Sequence, residues 1–368
     1  MDCFGLAPFR LKLMYEYFAQ KDKCVQVVSS DWDHFKKQRR ISDAPYLVYL
    51  PTLPYYKNIS VRRMVSHWLF ARSAFAYAEA LHADTIYTHV PPNSMAHFAR
   101  RYKQKHPETK MYLGLIDLWP ESMPTGPLKR HFPFTLWRAM RDNALAAADI
   151  VTPECDLYSE LLHGVPGMDR ARTLRLVNED HGFYSPEVPP LDALRLCYLG
   201  SVNTIIDIPL IASLIKELSR YKKTELHVIG DGESRDELLT AARNAGAQVY
   251  FYGITFDAEK KREIYRRCHF GLNIMKPQVC VGLTMKSIDY FEAGLPLLNT
   301  IGGDTARWLR ERGAGYTISA DTVSTVAQKA AGADAVELAQ MRQASRTVYD
   351  ELLSVAAFNA QMRKIFNY

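Results

Sequence analysis

The sequence has no long apolar run, no paired cysteines and no complete dinucleotide-binding glycine signature, and each absence removes a class of function. In 368 residues, no stretch approaches the roughly 18 uninterrupted apolar residues of a membrane-spanning helix. The opening residues MDCFGLAPFR lack the basic and apolar regions of a secretory signal, so a cytoplasmic location is expected. The six cysteines are scattered without a CxxC pair, which favours buried free thiols over a zinc site or disulfide framework. The turn GDGESR stops short of GxGxxG, because Arg235 stands where the third glycine would be. A dinucleotide-binding Rossmann site is therefore disfavoured, and Gly230 has a steric reason to close a strand-to-helix turn in any case.

What is present suits a two-domain α/β enzyme. Hydrophobic residues make up 48% and charged residues 23%, ordinary values for a globular protein. Net charge is +6. Up to position 180 there are 24 basic against 19 acidic residues, so the first half carries most of the excess. It gathers in Arg62-Arg63, Arg100-Arg101-Tyr102-Lys103 and Lys129-Arg130. The basic, aromatic-rich stretches 60–72 and 126–142 suit either an anionic membrane face or an ordinary solvated surface. No recognised nucleic-acid motif accompanies them, so nucleic acid is not an expected partner.

Strand-length apolar runs alternate with helical patterns along nearly the whole chain, the signature of parallel α/β layering. Between the two runs of alternation lies NEDHGFYSPEVPPLD, punctuated by Pro and Gly, which reads as a linker. The expected division is a first domain at 1–180, a linker at 181–192, a second domain at 193–340 and a returning C-terminal helix at 341–368. Strands that end in Gly before a helix, as LRLCYLG and ELHVIGDG do, place ligands at the carboxyl edge of a sheet.

The most informative stretch is KPQVCVGLTMKSIDYFEAGLPLLNTIGGD at 276–304. Gly282, Leu283 and Thr284 can offer backbone N–H groups at a helix start, where the macrodipole favours an anion. Lys286 and Asp289 are three residues apart and share a helical face. One cation for a phosphate and one carboxylate for a ribose diol would suit a nucleotide diphosphate; an ordinary surface ion pair is the other reading of the same spacing. Asp31 and Asp33 in DWD have the form of a metal–diphosphate motif, but a three-residue match is common and Asp31 would also cap a helix. No metal site is expected.

This stretch resembles the donor-site signature of GT-B glycosyltransferases, in the large retaining family numbered four. YLGSVN, LHVIGDG and VYFYGIT are similar to the successive strands of that family's donor domain. DHFKKQ, NISVRRMVSHWLF, THVPPNS and IDLWPES are similar to the acceptor domain of bacterial polysaccharide transferases, and LVNEDHGFYSP to the crossover. The resemblance implies two Rossmann-like domains facing a central cleft. It implies a donor site at Gly5, Gly200, Ser201, Asn203, Gly230, Gly253, Ile254, Lys276, Gly282, Leu283, Thr284, Lys286 and Asp289. The chain departs from the pattern in three places. Val281 and Asp289 occupy the family's acidic pair, Ser201 and Asn203 stand where it has Arg and Lys, and only MDCF precedes the Gly loop.

The implied activity is transfer of a hexose from a UDP-, GDP- or dTDP-sugar to a glycan or undecaprenyl-linked acceptor in surface polysaccharide synthesis. It would be retaining, would need no metal or other cofactor, and would take place at or near the inner membrane face. The leaving diphosphate would be met by Lys286, Lys276 and the amides of Gly282–Thr284. Asp117 and Glu121 of IDLWPES follow a strand and are the candidate general bases, with helix capping by Asp117 as the alternative. A GT-B-type nucleotide-sugar epimerase and an inactive partner subunit of the same fold remain open on sequence alone.

Overall fold

The computed structural model describes residues 10–21, 24–34, 36–42, 44–57, 60–123, 126 and 130–366; Gly5 and Lys129 lie outside these. The chain divides into two compact units, one of Met1–Val177 with Phe358–Tyr368, the other of Asn178–Ala357.

In the first unit, β1 (Val27–Ser30) pairs in parallel with β2 (Leu47–Leu50). A separate parallel sheet has β4 (Lys110–Leu115) between β3 (Thr85–Val90) and β5 (Ile150–Pro153). The helices are α1 (Arg10–Ala19), α2 (Val61–Ala80), α3 (Asn93–Lys105), α4 (Phe134–Ala147) and the short α5 (Asp156–Leu161). Ser60 starts α2 by accepting from the backbone N–H of Arg63, which satisfies one orphan donor of the first turn. The aromatic ring of Phe366, from the chain's final helix, packs against Tyr112, Tyr87 and Phe18. The side chain of Gln361 accepts from the backbone of Arg175. These contacts account for the return of the last residues to this unit.

The second unit holds one six-stranded parallel sheet, ordered β11-β10-β9-β6-β7-β8. Its strands are β6 (Leu194–Leu199), β7 (Thr224–Ile229), β8 (Ala247–Gly253), β9 (Phe270–Asn273), β10 (Leu297–Asn299) and β11 (Gly315–Thr317). The intervening helices are α6 (Ile208–Leu218), α7 (Arg235–Asn244), α8 (Ala258–Arg267), α9 (Met285–Glu292), α10 (Gly303–Arg312) and α11 (Val323–Gly332). β7 and β9 are buried along their whole length, as expected for parallel strands covered on both faces. From β6 the chain builds outward to β7 and β8, then returns to add β9 on the other side of β6. That reversal makes β6/β9 the topological switch point, where adjacent loops diverge and leave room for a ligand.

Beyond α5, Arg172 N–H bonds Val151 O and Leu174 N–H bonds Pro153 O, next to an isolated bridge of Ala171 to Val151. The Pro-rich passage is a strap fastened to the second unit rather than a free linker. Phe183 is buried, the His181 backbone and ring both meet the Glu292 carboxylate, and Ser185 O accepts from the Arg342 guanidinium. Arg342 lies on α12 (Ala335–Val348) and also donates to Cys268 O. It holds α12 in the second unit, which runs to Ala357 instead of ending near 340.

Candidate functional sites

In the second unit the site is set by how α9 sits on the sheet. Gly271 in β9 has no side chain, and a Cβ there would stand 2.7 Å from the Tyr290 ring. The ring therefore lies directly on the strand. Tyr290 Oη accepts from Leu199 N–H at 2.7 Å and donates to Cys197 O at 3.0 Å. Asn273 donates to Ser287 Oγ and Asn299 Oδ1, pinning the other end of α9. Thr284 caps the helix through the N–H of Ser287. One turn before Tyr290, Lys286 is thereby delivered to the end of β6.

There the ammonium of Lys286 stands 4.8 Å from the centroid of the Tyr198 ring. Its Nζ is shielded from solvent and has no hydrogen-bond partner, although the residue as a whole is part-exposed. Burial lowers its pKa to about 8. An ammonium has three donors, and leaving them unmet in a buried position is costly. The neighbouring backbone explains why there is space: Gly200 has φ +110° and its missing Cβ would be 3.8 Å from Lys286 Cε.

The other predicted donor-side residues gather around the same edge. Gly200 N–H bonds Ile229 O, Val202 N–H bonds Asp231 O, and Gly230 N–H bonds Gly253 O. A Cβ on Gly230 would lie 1.9 Å from Gly200 O, and one on Gly232 would lie 2.3 Å from Val202 O. The glycines of GDG thus serve the close approach of two loops. Asn203 turns inward to accept from Ile205 N–H, and Ser201 O accepts from Tyr198 Oη. Lys276 N–H bonds Ile205 O, which brings its loop beside residues 203–206. Gly282 O is taken by both the N–H and hydroxyl of Thr305, and Leu283 is buried. Ile254 is exposed just beyond β8.

Asp289 is placed differently from its expected companion. One oxygen accepts from Lys261 Nζ at 2.7 Å and the other from Asn178 Nδ2 at 3.1 Å. Lys286 instead meets Tyr198 and Gly200. The i,i+3 spacing therefore does not produce a Lys286–Asp289 surface pair. Lys261 was not legible as a partner, because nothing in the sequence ties α8 to α9.

In the first unit the carboxyl edge of β3–β5 carries the candidate base. Asp117 accepts from its own loop, at Leu118 N–H (2.8 Å) and Trp119 Nε1 (2.9 Å); burial raises its pKa above the ordinary carboxyl range. Glu121 is not comparably available. It accepts from Arg138 Nε at 2.7 Å and from Arg141 Nη1 at 2.6 Å. Burial pushes its pKa up, but these arginines outweigh that and leave it lowered. Glu121 anchors the loop to α4, as does the bond from Arg141 to Trp119 O. The aspartates of DWD are likewise engaged, Asp31 by Thr52 and Arg39 and Asp33 by Lys36 N–H and Arg40.

Sequence reasoning missed Glu154 at this edge. It follows β5 directly, as Asp117 follows β4, and the rule that ligands meet strand ends would have marked it. Burial pushes its pKa up to about 7 against the opposing pull of Arg10, whose Nη1 is 3.8 Å away. The guanidinium of Arg10 also donates to Tyr87 Oη, which is paired with Thr152.

Comparison with known proteins converges on one fold. The family model for glycosyl transferases group 1 matches residues 194–333. No curated protein matches the chain. Among solved structures, sucrose-phosphate synthase from Thermosynechococcus elongatus superposes with a TM-score of 0.76 at 14% identity, covering 98% of this chain and 92% of that one. HepE of Anabaena, solved in complex with UDP, gives 0.65 at 11% identity over 87% and 86%. WaaG, described as a glycosyltransferase involved in lipopolysaccharide biosynthesis, gives 0.62 at 14% identity over 98% and 96%. Residues 194–333 thus resemble a glycosyl transferases group 1 domain, and the chain as a whole has the fold of the GT-B glycosyltransferases.

Proposed function

We propose that the protein transfers a sugar from a nucleotide diphosphate donor to a glycan or lipid-linked acceptor in bacterial surface polysaccharide synthesis. The observation that carries this reading is the buried, unpartnered ammonium of Lys286 beside the Gly200 turn, at the switch point of a group 1 domain. A diphosphate would meet its three donors together with the first-turn amides of α9. Lys276 lies on the neighbouring loop and adds a second cation. The solved complexes of HepE with UDP and with UDP-glucose support a uridine nucleotide as the first donor to test. Asp289, held by Lys261 and Asn178, retains further lone pairs and would accept from the ribose hydroxyls.

Asp117 would take the proton of the acceptor hydroxyl as its oxygen bonds to the sugar carbon from the same face on which the bond to the diphosphate breaks. The reaction would be retaining and would proceed without a metal, with Lys286 and backbone amides stabilising the departing diphosphate. A thermal-shift screen against UDP-, GDP- and dTDP-sugars tests the donor assignment. Ligand at 100 times its dissociation constant adds about 2.7 kcal/mol of stability; no shift with any of them would reject the assignment. Turnover lost in EDTA and restored by magnesium or manganese would reject metal independence.

The acceptor reading includes contact with an anionic membrane. No helix among the described residues is long and apolar enough to cross one. However, α2 exposes Val61, Val65, Trp68 and Leu69 beside exposed Arg62 and Arg72, and Phe132 and Leu136 are exposed near Arg130. Equal binding to neutral and anionic vesicles at low salt would count against it.

A further inference from the structure

In the first unit, residues from the loops and first helical turns after β1, β2 and β4 meet in a cluster that has no part in the reading above. Loops at the carboxyl ends of parallel strands are where such folds place ligands. At the centre is Tyr55, between β2 and α2, which is buried. Its carbonyl accepts from Trp32 Nε1 at 2.9 Å, and its Oη meets His34 Nδ1 at 3.2 Å. Two cations lie against this fixed ring, Lys37 with Nζ 5.3 Å and Arg63 with Cζ 5.7 Å from its centroid. Arg63 also stands 5.5 Å from the centroid of a Trp119 ring and donates through Nε to His67 Nε2 at 3.4 Å. Trp119 in turn donates to Asp117 at 2.9 Å, so direct contacts run from the cations to the candidate base. Lys37 holds its place on a left-handed backbone, φ +54°, which is uncommon for a long side chain.

The cluster is electropositive and reachable. Lys37, Arg63, His34, His67 and Trp119 are all part-exposed. Burial first, then Arg63 and Lys37, hold His34 at about 4, with Asp33 acting more weakly the other way. Burial and Arg63 hold His67 at about 3. Both imidazoles are therefore neutral near pH 7, and the positive charge is that of the lysine and the arginine. The acids close by are engaged, Asp33 with Arg40 and Lys36 N–H and Asp117 within its own loop.

We propose that Lys37 and Arg63, gathered on the Tyr55 ring, bind a phosphate group, which in the reading above is carried by the acceptor. The acceptor role rests on that reading, because the site adjoins Asp117 through Trp119. Charge selects the class of ligand. A phosphate monoester carries roughly 1.5 to 2 negative charges at neutral pH and matches two cations, whereas a carboxylate carries one. Arginine offers phosphate oxygens a fork of donors, and lysine adds a point charge.

The test titrates inorganic phosphate into the full chain at about pH 7.5 and constant ionic strength. NMR follows the ring signals of His34 and His67, assigned with His34→Gln and His67→Gln. Acetate is the monoanion control; glycerol phosphate and vesicles containing phosphatidic acid separate a soluble phosphate from a lipid headgroup. Phosphate and glycerol phosphate should move both signals to saturation, and acetate should not. Arg63→Gln should weaken the apparent Kd about tenfold or more. Lys37→Asn, which removes the charge and suits the left-handed backbone, should do the same while keeping the wild-type Kd for UDP; it decides the matter if Arg63→Gln does not fold. No response to phosphate, an equal response to acetate, or wild-type phosphate affinity in folded Lys37→Asn would overturn the proposal. So would a response to the vesicles alone, or a loss of UDP affinity in Lys37→Asn, which would put Lys37 at the donor. If the wild type shows the phosphate response but does not bind UDP, the donor reading falls and the phosphate site stands.

Discussion

The two units solve the burial of a parallel sheet in different ways. In the second, β7 and β9 are covered on both faces, and aliphatic side chains such as Leu196, Leu226, Val228 and Leu272 make one continuous core. In the first, β1 and β3 are mostly half-buried, and the interior takes up Arg10, Arg141 and Asp33. The second unit thus carries its sheet on a continuous aliphatic core, although it too buries charged groups such as Glu292 and Arg342. The first leans more on half-buried strands and on histidines whose pKa burial lowers. Damage to fit should therefore weigh most on the second unit, and changes in pH on the first.

The largest effect is expected at Gly230. Alanine there would place a methyl group 1.9 Å from Gly200 O at φ +140°, and unfolding should become easier by roughly 3 kcal/mol or more. Gly164 of the first unit also has positive φ, +83°, but a Cβ at that position would meet nothing within 4 Å. Its alanine variant should lose only about 1 kcal/mol. Denaturant unfolding of both variants measures the difference, and equal losses would break the comparison.

Next comes Lys286→Ala, which should weaken UDP binding by roughly 1.5–3 kcal/mol, or about 10- to 150-fold in Kd. Without ligand, the same change removes a buried charge that has no partner. The free protein should keep its stability or gain some. Calorimetry with UDP and a ligand-free melt test the two halves together; unchanged UDP affinity would place the nucleotide elsewhere.

Tyr290→Phe should cost about 1–2 kcal/mol, because it leaves Leu199 N–H and Cys197 O without their buried partner. The loss should appear in the ligand-free melt.

The smallest and most graded effect is that of pH. Burial leads the causes that hold His34 at about 4 and His67 at about 3, and it also lowers His89 and His97, all in the first unit. The unfolded chain binds protons at these sites more readily than the native one. Their contribution to stability is therefore present above about 6.5 and is lost as pH falls from there toward the native values. His181, in the second unit, is raised, first by its hydrogen bond to Glu292. Its contribution is complete below about 6.5 and is lost as pH rises through the raised value. Calorimetric scans from pH 7.5 to 5 should destabilise the first unit more, although His227 and His269 of the second are also lowered. A second unit that proves the more acid-sensitive would reverse the contrast.

The same contrast explains what could be read from sequence. Runs such as LRLCYLG and FGLNI are apolar because both strand faces are covered, so the strands and the Gly-ended turns of the second unit were legible. Lys286 was legible from its place after Gly282-Leu283-Thr284. The Asp289–Lys261 pair was not, because it joins two helices that periodicity treats independently. In the first unit, Asp117 was visible at a strand end, whereas the fate of Glu121 depended on two arginines some twenty residues away on another helix. α1 was unmarked, since LKLMYEYFA has no cap or stop signal within the stretch.

The packing of Phe366 against Tyr112 gives the two units different histories during synthesis. Every residue of the second unit lies between Asn178 and Ala357, so that unit has its whole sequence before Phe358 is added. The first unit, begun earlier, must wait for a ring that emerges only after the second unit is complete. Until then, the aromatic surface of Tyr87 and Tyr112 that Phe366 covers stays open to chaperones or to a neighbouring nascent chain. The unit translated first is thus the one completed last.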